Sequence, residues 1–269
     1  MAHIVIIPVY QSIISQWEVK SFVQCCRVLS NYTICLVSYA ELDCSIYYQM
    51  ASANGVLLIR ENFDSNYFES ISGYNALMIS KLFYQRFAAY DYMLIHQLDA
   101  YVFRDELDEW STKGYDYIGA PWFKNYLSYE EGANLWRVGN GGFSLRKIKT
   151  LIQFLETRKP ILGFVSLCEK YKKRPYKVRC WCVLKAMLGW HNTLRYYVSE
   201  YVDQEDLFWT QYVPSLGFKM LIPSVDEAVS FSFERSPEYL YNQNNQQLPF
   251  GCHAWKKYDY DNFRSKYIN

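Results

Sequence analysis

The chain has no excess of charge of either sign: 28 Lys and Arg stand against 27 Asp and Glu in 269 residues. Without an overall basic field there is nothing to hold a nucleic-acid backbone or to press the whole surface onto an anionic membrane. A small-molecule or glycan partner fits better. No apolar run approaches the roughly 20 residues needed to span a bilayer, so any membrane contact is expected to be peripheral. The first apolar run, Ile4 to Val9, lacks a basic region before it and a small-residue cleavage site after it, and reads as a strand rather than a signal. Paired cysteine spacing is missing too. Cys25, Cys26, Cys35, Cys44, Cys168, Cys180, Cys182 and Cys252 fall mostly in apolar stretches, and Cys180 and Cys182 flank Trp181 with no second pair nearby. They are expected to be reduced, buried thiols in a reducing cytosol rather than zinc ligands or disulfides. With no internal repeat and no long linker, one domain over 1–269 is the expectation.

Aromatic residues are plentiful. Tyr, Phe and Trp make up 19% of the chain, with 26 tyrosines; rings and phenol hydroxyls suit sugars and nucleobases, although an AT-biased genome gives the same bias. Up to about Phe103, short β-branched runs alternate with helical periodicity, the pattern of βα units on a mostly parallel sheet. Strands are predicted over His3 to Val9, Thr33 to Ser38, Val56 to Ile59 and Tyr92 to Leu98. A helix is predicted over Ser15 to Leu29, and a long one carries the stripe Ile71, Tyr74, Leu77, Met78 and Leu82. Beyond Asp105 the texture becomes α+β. The basic stretch Lys170 to Arg179 reads as a solvated face or a surface for an anionic acceptor.

Four separated segments call for a joint explanation: Ile7-Pro8-Val9-Tyr10, Gln97-Leu98-Asp99-Ala100-Tyr101, Val138 to Arg146, and Glu205-Asp206-Leu207-Phe208. Asp99 sits at a strand end, where ligands of open α/β sheets gather. Together with YDYIGAPW (Tyr115 to Trp122), GNGGFSLR (Gly139 to Arg146) and PFGCHAW (Pro249 to Trp255), these segments resemble a mainly bacterial family of predicted GT-A glycosyltransferases, over nearly the whole chain. The resemblance implies an α/β fold with a mixed, mostly parallel sheet flanked by helices. It also implies a nucleotide-binding half (1–104) and an acceptor and catalytic half (105–269).

It further implies a nucleotide-sugar donor, UDP-linked by family frequency, with Pro8, Val9 and Tyr10 beside the nucleobase. Asp99 and Tyr101 lie near ribose and diphosphate, and Arg60, Asn62, Asn75 and Lys81 are on the same side, with Tyr74. Gly139, Asn140, Gly141 and Gly142 line the sugars. Asn-Gly and Gly-Gly also adopt positive φ in ordinary turns, and Trp122 offers a pyranose an apolar face or simply packs. Many members of the fold carry Asp-x-Asp where this chain has Asp99-Ala100-Tyr101. Either Asp99, His253 and the diphosphate hold Mn²⁺ or Mg²⁺, or Asp99 contacts ribose alone. Of the acidic pair Glu205 and Asp206, the analogy selects Asp206 as the general base of an inverting displacement. The bland alternative is that both neutralise a helix N-terminus with Asp203 as N-cap. His96 is expected to be a core residue with one hydrogen bond.

The acceptor is expected to be a glycan, a lipid-linked sugar or a protein, reached from the cytoplasm at the inner face of the membrane. Two other readings stand beside this one: a catalytically silent nucleotide-sugar-binding scaffold, for which the missing carboxylate speaks, and a nucleotidyltransferase. The second lacks its glycine-rich phosphate loop, since Gln11-Ser12-Ile13-Ile14 follows the first strand.

Overall fold

The structure, a computed structural model, describes residues 1–124 and 134–268. The first half is built on strands β1 (His3–Pro8), β2 (Thr33–Ser38), β3 (Leu58–Asn62) and β4 (Tyr92–His96). All six residues of β1 are buried, as expected of a strand covered on both faces of a parallel sheet. Its side chains alternate between two cores. Val5 and Ile7 pack with Phe22 and Cys26 of helix α1 (Gln16–Val28) on one face; Ile4 and Ile6 pack with Phe83, Leu151 and Trp209 on the other. Helix α1 starts as it does because Ser15 and Glu18 form a reciprocal capping box.

Helix α2 (Ser45–Ala53) leads into β3, which begins two residues later than the sequence pattern predicts. Gly55 takes φ +72° and the Val56 N–H closes back on the Ala51 carbonyl at 2.9 Å, so Val56 belongs to the helix end. The predicted long helix divides into α3 (Ile71–Met78) and α4 (Lys81–Arg86), because Ser80 accepts from the Phe83 N–H at 3.1 Å and starts a new helix.

The second half contributes β5 (Tyr101–Val102), β6 (Tyr117–Ile118), β7 (Pro121–Phe123), β8 (Leu135–Val138) and β9 (Phe143–Lys147). Helices α5 (Leu107–Thr112), α6 (Ile148–Glu156), α7 (Phe164–Lys170), α8 (Tyr176–Met187) and α9 (Leu194–Glu200) are interspersed, and β10 (Ser232–Phe233) and β11 (Gly251–Cys252) follow late. The main sheet has the order β3-β2-β1-β4-β9-β6. The first four strands are parallel, and β9 runs antiparallel to both β4 and β6. This is the mixed, mostly parallel sheet flanked by helices that the sequence predicts. A three-stranded sheet, β10-β11-β5, stands beside it.

A helical segment over 205–215 is unusual. Glu205–Leu207 and Val213–Ser215 are α-helical, but Phe208–Tyr212 between them forms a π-turn, in which one extra residue is accommodated. Its N-cap is Gln204 rather than the predicted Asp203, whose carboxylate accepts from the Gln204 N–H instead. Two further expectations change. Cys180 is exposed and Cys168 and Cys182 are half-buried, while the other five thiols are buried; all eight are free. His96 is fully buried but neither nitrogen of its ring makes a hydrogen bond of ordinary geometry. Burial pushes its imidazole down to about 4, which keeps it neutral, and its ring meets Phe143 edge-on.

Candidate active site

The strand order reverses between β1 and β4, and ligands of open α/β sheets bind outside the carboxyl ends of the strands at such a point. A cavity of about 810 Å³ opens there, within the size range of small-molecule sites. The ends of β1 and β4 supply Pro8, Tyr10, Gln97, Leu98 and Asp99. Because β9 is antiparallel to β4, the turn entering it reaches the same edge. The Gln97 N–H donates to the Gly142 carbonyl at 2.9 Å, and Asn140, Gly141 and Gly142 join the wall. The start of α3 adds Ser70, Ile71, Tyr74 and Asn75, and the head of the 205–215 helix adds Glu205 and Asp206.

The small sheet explains one corner. Phe233 of β10 pairs in parallel with Cys252 of β11, so the residues that follow, Glu234 and His253, emerge side by side. Cys252 pairs antiparallel with Tyr101, which brings Asp99 to the same end. His253 Nε2 lies 3.1 Å from Asp99 Oδ1 and 3.2 Å from Gln97 Oε1; Nδ1 lies 3.5 Å from Glu234 Oε1 and 3.0 Å from Asn140 Nδ2. Burial alone would lower the imidazole, but the two carboxylates outweigh it and raise it to about 10. Burial would likewise raise Asp99, and His253 overcomes this to hold it below its ordinary value. Buried Arg264 fixes the backbone behind this corner by donating to the carbonyls of His253 and Glu234. Among the described residues no group of three or more His, Cys, Asp and Glu is placed to hold a metal ion; the third donor beside Asp99 and His253 is the amide oxygen of Gln97.

The opposite wall rests on a buried ion pair. Arg146 is completely buried, and its guanidinium donates to Glu205 Oε1 at 2.8 Å, to the Tyr84 hydroxyl at 3.1 Å and to Ser144 Oγ at 3.1 Å, lying over the Tyr117 ring. The contact keeps Arg146 a cation well above its usual range. Burial leaves the Glu205 carboxyl above its ordinary value, with Arg146 pulling it back. Glu205 is thus committed to Arg146. Its neighbour Asp206 is pushed up to about 7, by burial first and by the charge of Glu205 second, against the Leu207 N–H at 2.8 Å. A carboxylate that titrates near neutrality on a cavity wall can take a proton from a bound hydroxyl.

The glycines of the motifs are there for closeness rather than for backbone freedom. Asn140, not Gly141 or Gly142, takes the positive φ (+65°), and its Oδ1 receives the Gly142 N–H at 3.1 Å. A Cβ on Gly141 would fall 1.8 Å from Glu205 Oε1, and one on Gly142 would fall 2.2 Å from the His253 ring. Gly139 faces the Trp122 ring at 2.1 Å, and Gly251 faces the Phe143 ring at 2.3 Å on the same test. The three sequence motifs therefore interlock. Gly142→Ala is expected to destabilise the fold by about 1–3 kcal/mol through overpacking and to move His253; a thermal midpoint equal to that of the parent protein would contradict this.

Of the predicted site residues, Pro8, Tyr10, Asn75, Asp99, Asn140, Gly141, Gly142, Glu205, Asp206 and His253 line the one cavity. The others lie elsewhere. Val9 is in the core. Arg60 braces the loop after β2, donating to Ser38 Oγ at 2.8 Å and the Leu42 carbonyl at 3.1 Å, and Asn62 accepts from Ser38 Oγ. Lys81 pairs with Glu156 at 3.1 Å on the surface. Tyr101 packs against Phe103 and Trp255, and Trp122 and Gly139 are buried against each other. Sequence reasoning missed Glu234 and the pairing of Arg146 with Glu205. Neither carries a local signal, apart from the presence of Arg146 inside GNGGFSLR.

No curated protein matches the chain. Among solved structures it is similar to the apo form of the glycosyltransferase GlyE of Streptococcus pneumoniae TIGR4 (13% identity, 94% of this chain and 54% of that one, TM-score 0.45). It is also similar to mouse xyloside xylosyltransferase 1 (11%, 94% and 97%, TM-score 0.49) and to LgtC in complex with donor and acceptor sugar analogs (11%, 93% and 86%, TM-score 0.41). The chain spans about half the length of the pneumococcal protein, and likenesses of this degree carry no activity across. The family model described as Protein of unknown function (DUF5672) matches residues 58–253, and the chain belongs to that family.

Proposed function

We propose that the chain is a GT-A type glycosyltransferase that moves a sugar from a nucleotide-sugar, a UDP-sugar foremost, to an acceptor hydroxyl. The observation that carries this reading is the placement of Asp206 in the same cavity as the Asp99–His253 corner, at the strand-order reversal. The nucleobase rests by Pro8 and Tyr10, the diphosphate by Asp99 and His253, and the sugar by Asn140 to Gly142. Buried Tyr74 Oη and Glu205 Oε2 have no hydrogen-bond partner of ordinary geometry, and both residues line the cavity; sugar hydroxyls would satisfy such groups.

In this scheme Asp206 accepts the proton of the acceptor hydroxyl as its oxygen bonds to the anomeric carbon. The bond to the diphosphate breaks on the far side and its electron pair leaves on the phosphate oxygen, so configuration inverts. Asp99 Oδ1, His253 Nε2 and Gln97 Oε1 would hold Mn²⁺ or Mg²⁺ together with diphosphate oxygens once the Nε2 proton that the two carboxylates otherwise keep on the ring is displaced, and Glu234 beside Nδ1 would orient the imidazole. A bound cation would neutralise charge on the leaving diphosphate. The acceptor is a glycan, a lipid-linked sugar or a protein, met in the cytoplasm at the inner face of the membrane.

Thermal denaturation with UDP, GDP, CMP and dTDP, each with Mn²⁺ and with EDTA, tests the donor pocket. UDP with Mn²⁺ is expected to stabilise by about 2.7 kcal/mol at roughly 100 times its dissociation constant, a shift of several degrees at this length. No shift with any nucleotide would remove the reading. Nucleotide binding without transfer from any UDP-sugar would favour a silent scaffold, for which the lone carboxylate of Asp99 speaks.

A further inference from the structure

Charge that balances over the whole chain is segregated along it. Between Thr157 and Ser199 stand ten Lys and Arg against one acidic residue, Glu169, leaving eighteen against twenty-six elsewhere. The same stretch carries the densest group of exposed large apolar side chains. Helix α8 buries Val183 and Ala186 against Leu167 of α7, yet its other side shows Trp181 (57% exposed), Leu184 (52%) and Leu188 (81%). Lys177, Trp181, Leu184, Lys185 and Leu188 are spaced i, i+4, i+7, i+8 and i+11, which puts them on one helical stripe. Lys185 Nζ lies 4.8 Å from the Trp181 ring and 4.7 Å from the ring of Trp190, itself 59% exposed. The result is a lysine held between two exposed indoles.

We propose that α8 and Trp190 form a docking surface for an anionic lipid bilayer, with Trp181, Leu184, Leu188 and Trp190 entering the headgroup boundary and the surrounding lysines and arginines meeting the lipid phosphates. Indoles prefer that boundary, and a helix carrying Trp and Leu among Lys lies in its plane. Among the described residues no helix is long and apolar enough to cross a membrane, so the contact is peripheral. Charge that is positive but for Glu169, which pairs with Lys172, surrounds the apolar stripe and complements a lipid surface of negative charge, which attracts basic segments through each residue added. No residue lining the cavity falls between 161 and 199, so the surface stands whether or not the chain transfers a sugar.

Co-sedimentation of the full chain with phosphatidylcholine vesicles, with and without phosphatidylglycerol, tests it. Binding is expected only with the anionic lipid and is expected to fall with added salt. Trp181→Ala with Leu188→Ser, and separately Lys177→Glu with Lys185→Glu, should each lower the partition at least roughly tenfold; the first pair should leave the thermal midpoint unchanged, since Trp181 and Leu188 are exposed, and the second should lower it only slightly, since Lys177 is exposed and Lys185 is half-buried between two surface indoles. Failure to sediment with phosphatidylglycerol vesicles overturns the proposal. So does equal binding by the variants, or a dimer in solution that Trp181→Ala with Leu188→Ser dissociates, which would give the stripe to a second copy of the chain.

Discussion

Arg146→Met is expected to lower the stability of the fold by about 3–5 kcal/mol, the usual result of removing one partner of a buried ion pair, and the thermal midpoint on the order of 10 °C. The guanidinium is wholly buried and serves Glu205, Tyr84, Ser144 and the Tyr117 ring at once. Without it Glu205 must either stay ionised with no counter-charge or take up a proton. Its folded-state pKa, already above the unfolded value in the parent, would then rise further, so the native state would hold the extra proton over a wider pH range. Stability would therefore fall as pH rises between the two values, making the defect of the variant greater at pH 8 than at pH 5. Adding Glu205→Leu should recover much of the loss, because an apolar replacement of both partners removes the uncompensated charge. Chemical denaturation of the parent, single and double variants at both pH values reads this directly. A single variant as stable as the parent at pH 8 would show that the pair does not hold this wall.

Asp206→Asn is expected to lower transfer about 10²–10⁴-fold while leaving nucleotide affinity in place, since the corner proposed to face the diphosphate is built from Asp99, Gln97 and His253. In the parent, kcat/KM should rise about tenfold per pH unit below about 7 and level off above it, because Asp206 acts as a base only when ionised. The sign for stability is opposite to that of an ordinary carboxylate. A folded pKa raised from 3.8 to about 7 means that the native state holds a proton which the unfolded state releases, so the parent loses stability as pH rises from about 4 to 7. The Asn variant has no such group and should lose less over that window. Lost transfer in a protein whose stability falls less than its parent's between about pH 4 and 7 would separate a missing base from a damaged fold. Transfer at the parent's rate would remove Asp206 from the chemistry.

The elements most legible in the sequence are those whose pattern is local. Thr33–Ser38 is a strand over the predicted span, and α1 starts within one residue of its predicted beginning, where Ser15 and Glu18, three residues apart, cap each other. Boundaries shift where a single residue redirects a hydrogen bond, as Gly55 does before β3 and Ser80 does between α3 and α4. Within the site, Asp99, His253 and Asp206 can be marked from motif order, but the reason they meet cannot. Glu234 and His253 become neighbours through the pairing of β10 with β11, two-residue strands whose partners are nineteen positions apart, and nothing in either segment announces the other. Arg60 and Asn62 lie outside the cavity for the same reason in reverse. They sit near the carboxyl end of a strand, as ligand-binding residues do, but the order β3-β2-β1 puts that strand two places from the switch point, about 10 Å away.

The π-turn at Phe208–Tyr212 sets the rotational phase of the helix that carries Asp206. Downstream of the turn Val213 is held in the core, within it Trp209 donates to the Met78 carbonyl at 3.2 Å, and upstream the Asp206 carboxylate faces the cavity. Each residue of a regular α-helix advances the face by roughly 100°, so one residue more or fewer between these anchors turns one end against the other by that amount. Deleting a single residue from the turn would leave a longer, more regular helix with either the carboxylate aimed away from the cavity or the indole aimed out of the core. An irregularity in hydrogen bonding thus acts as an angular spacer, and a length change here is a change of aim rather than of size.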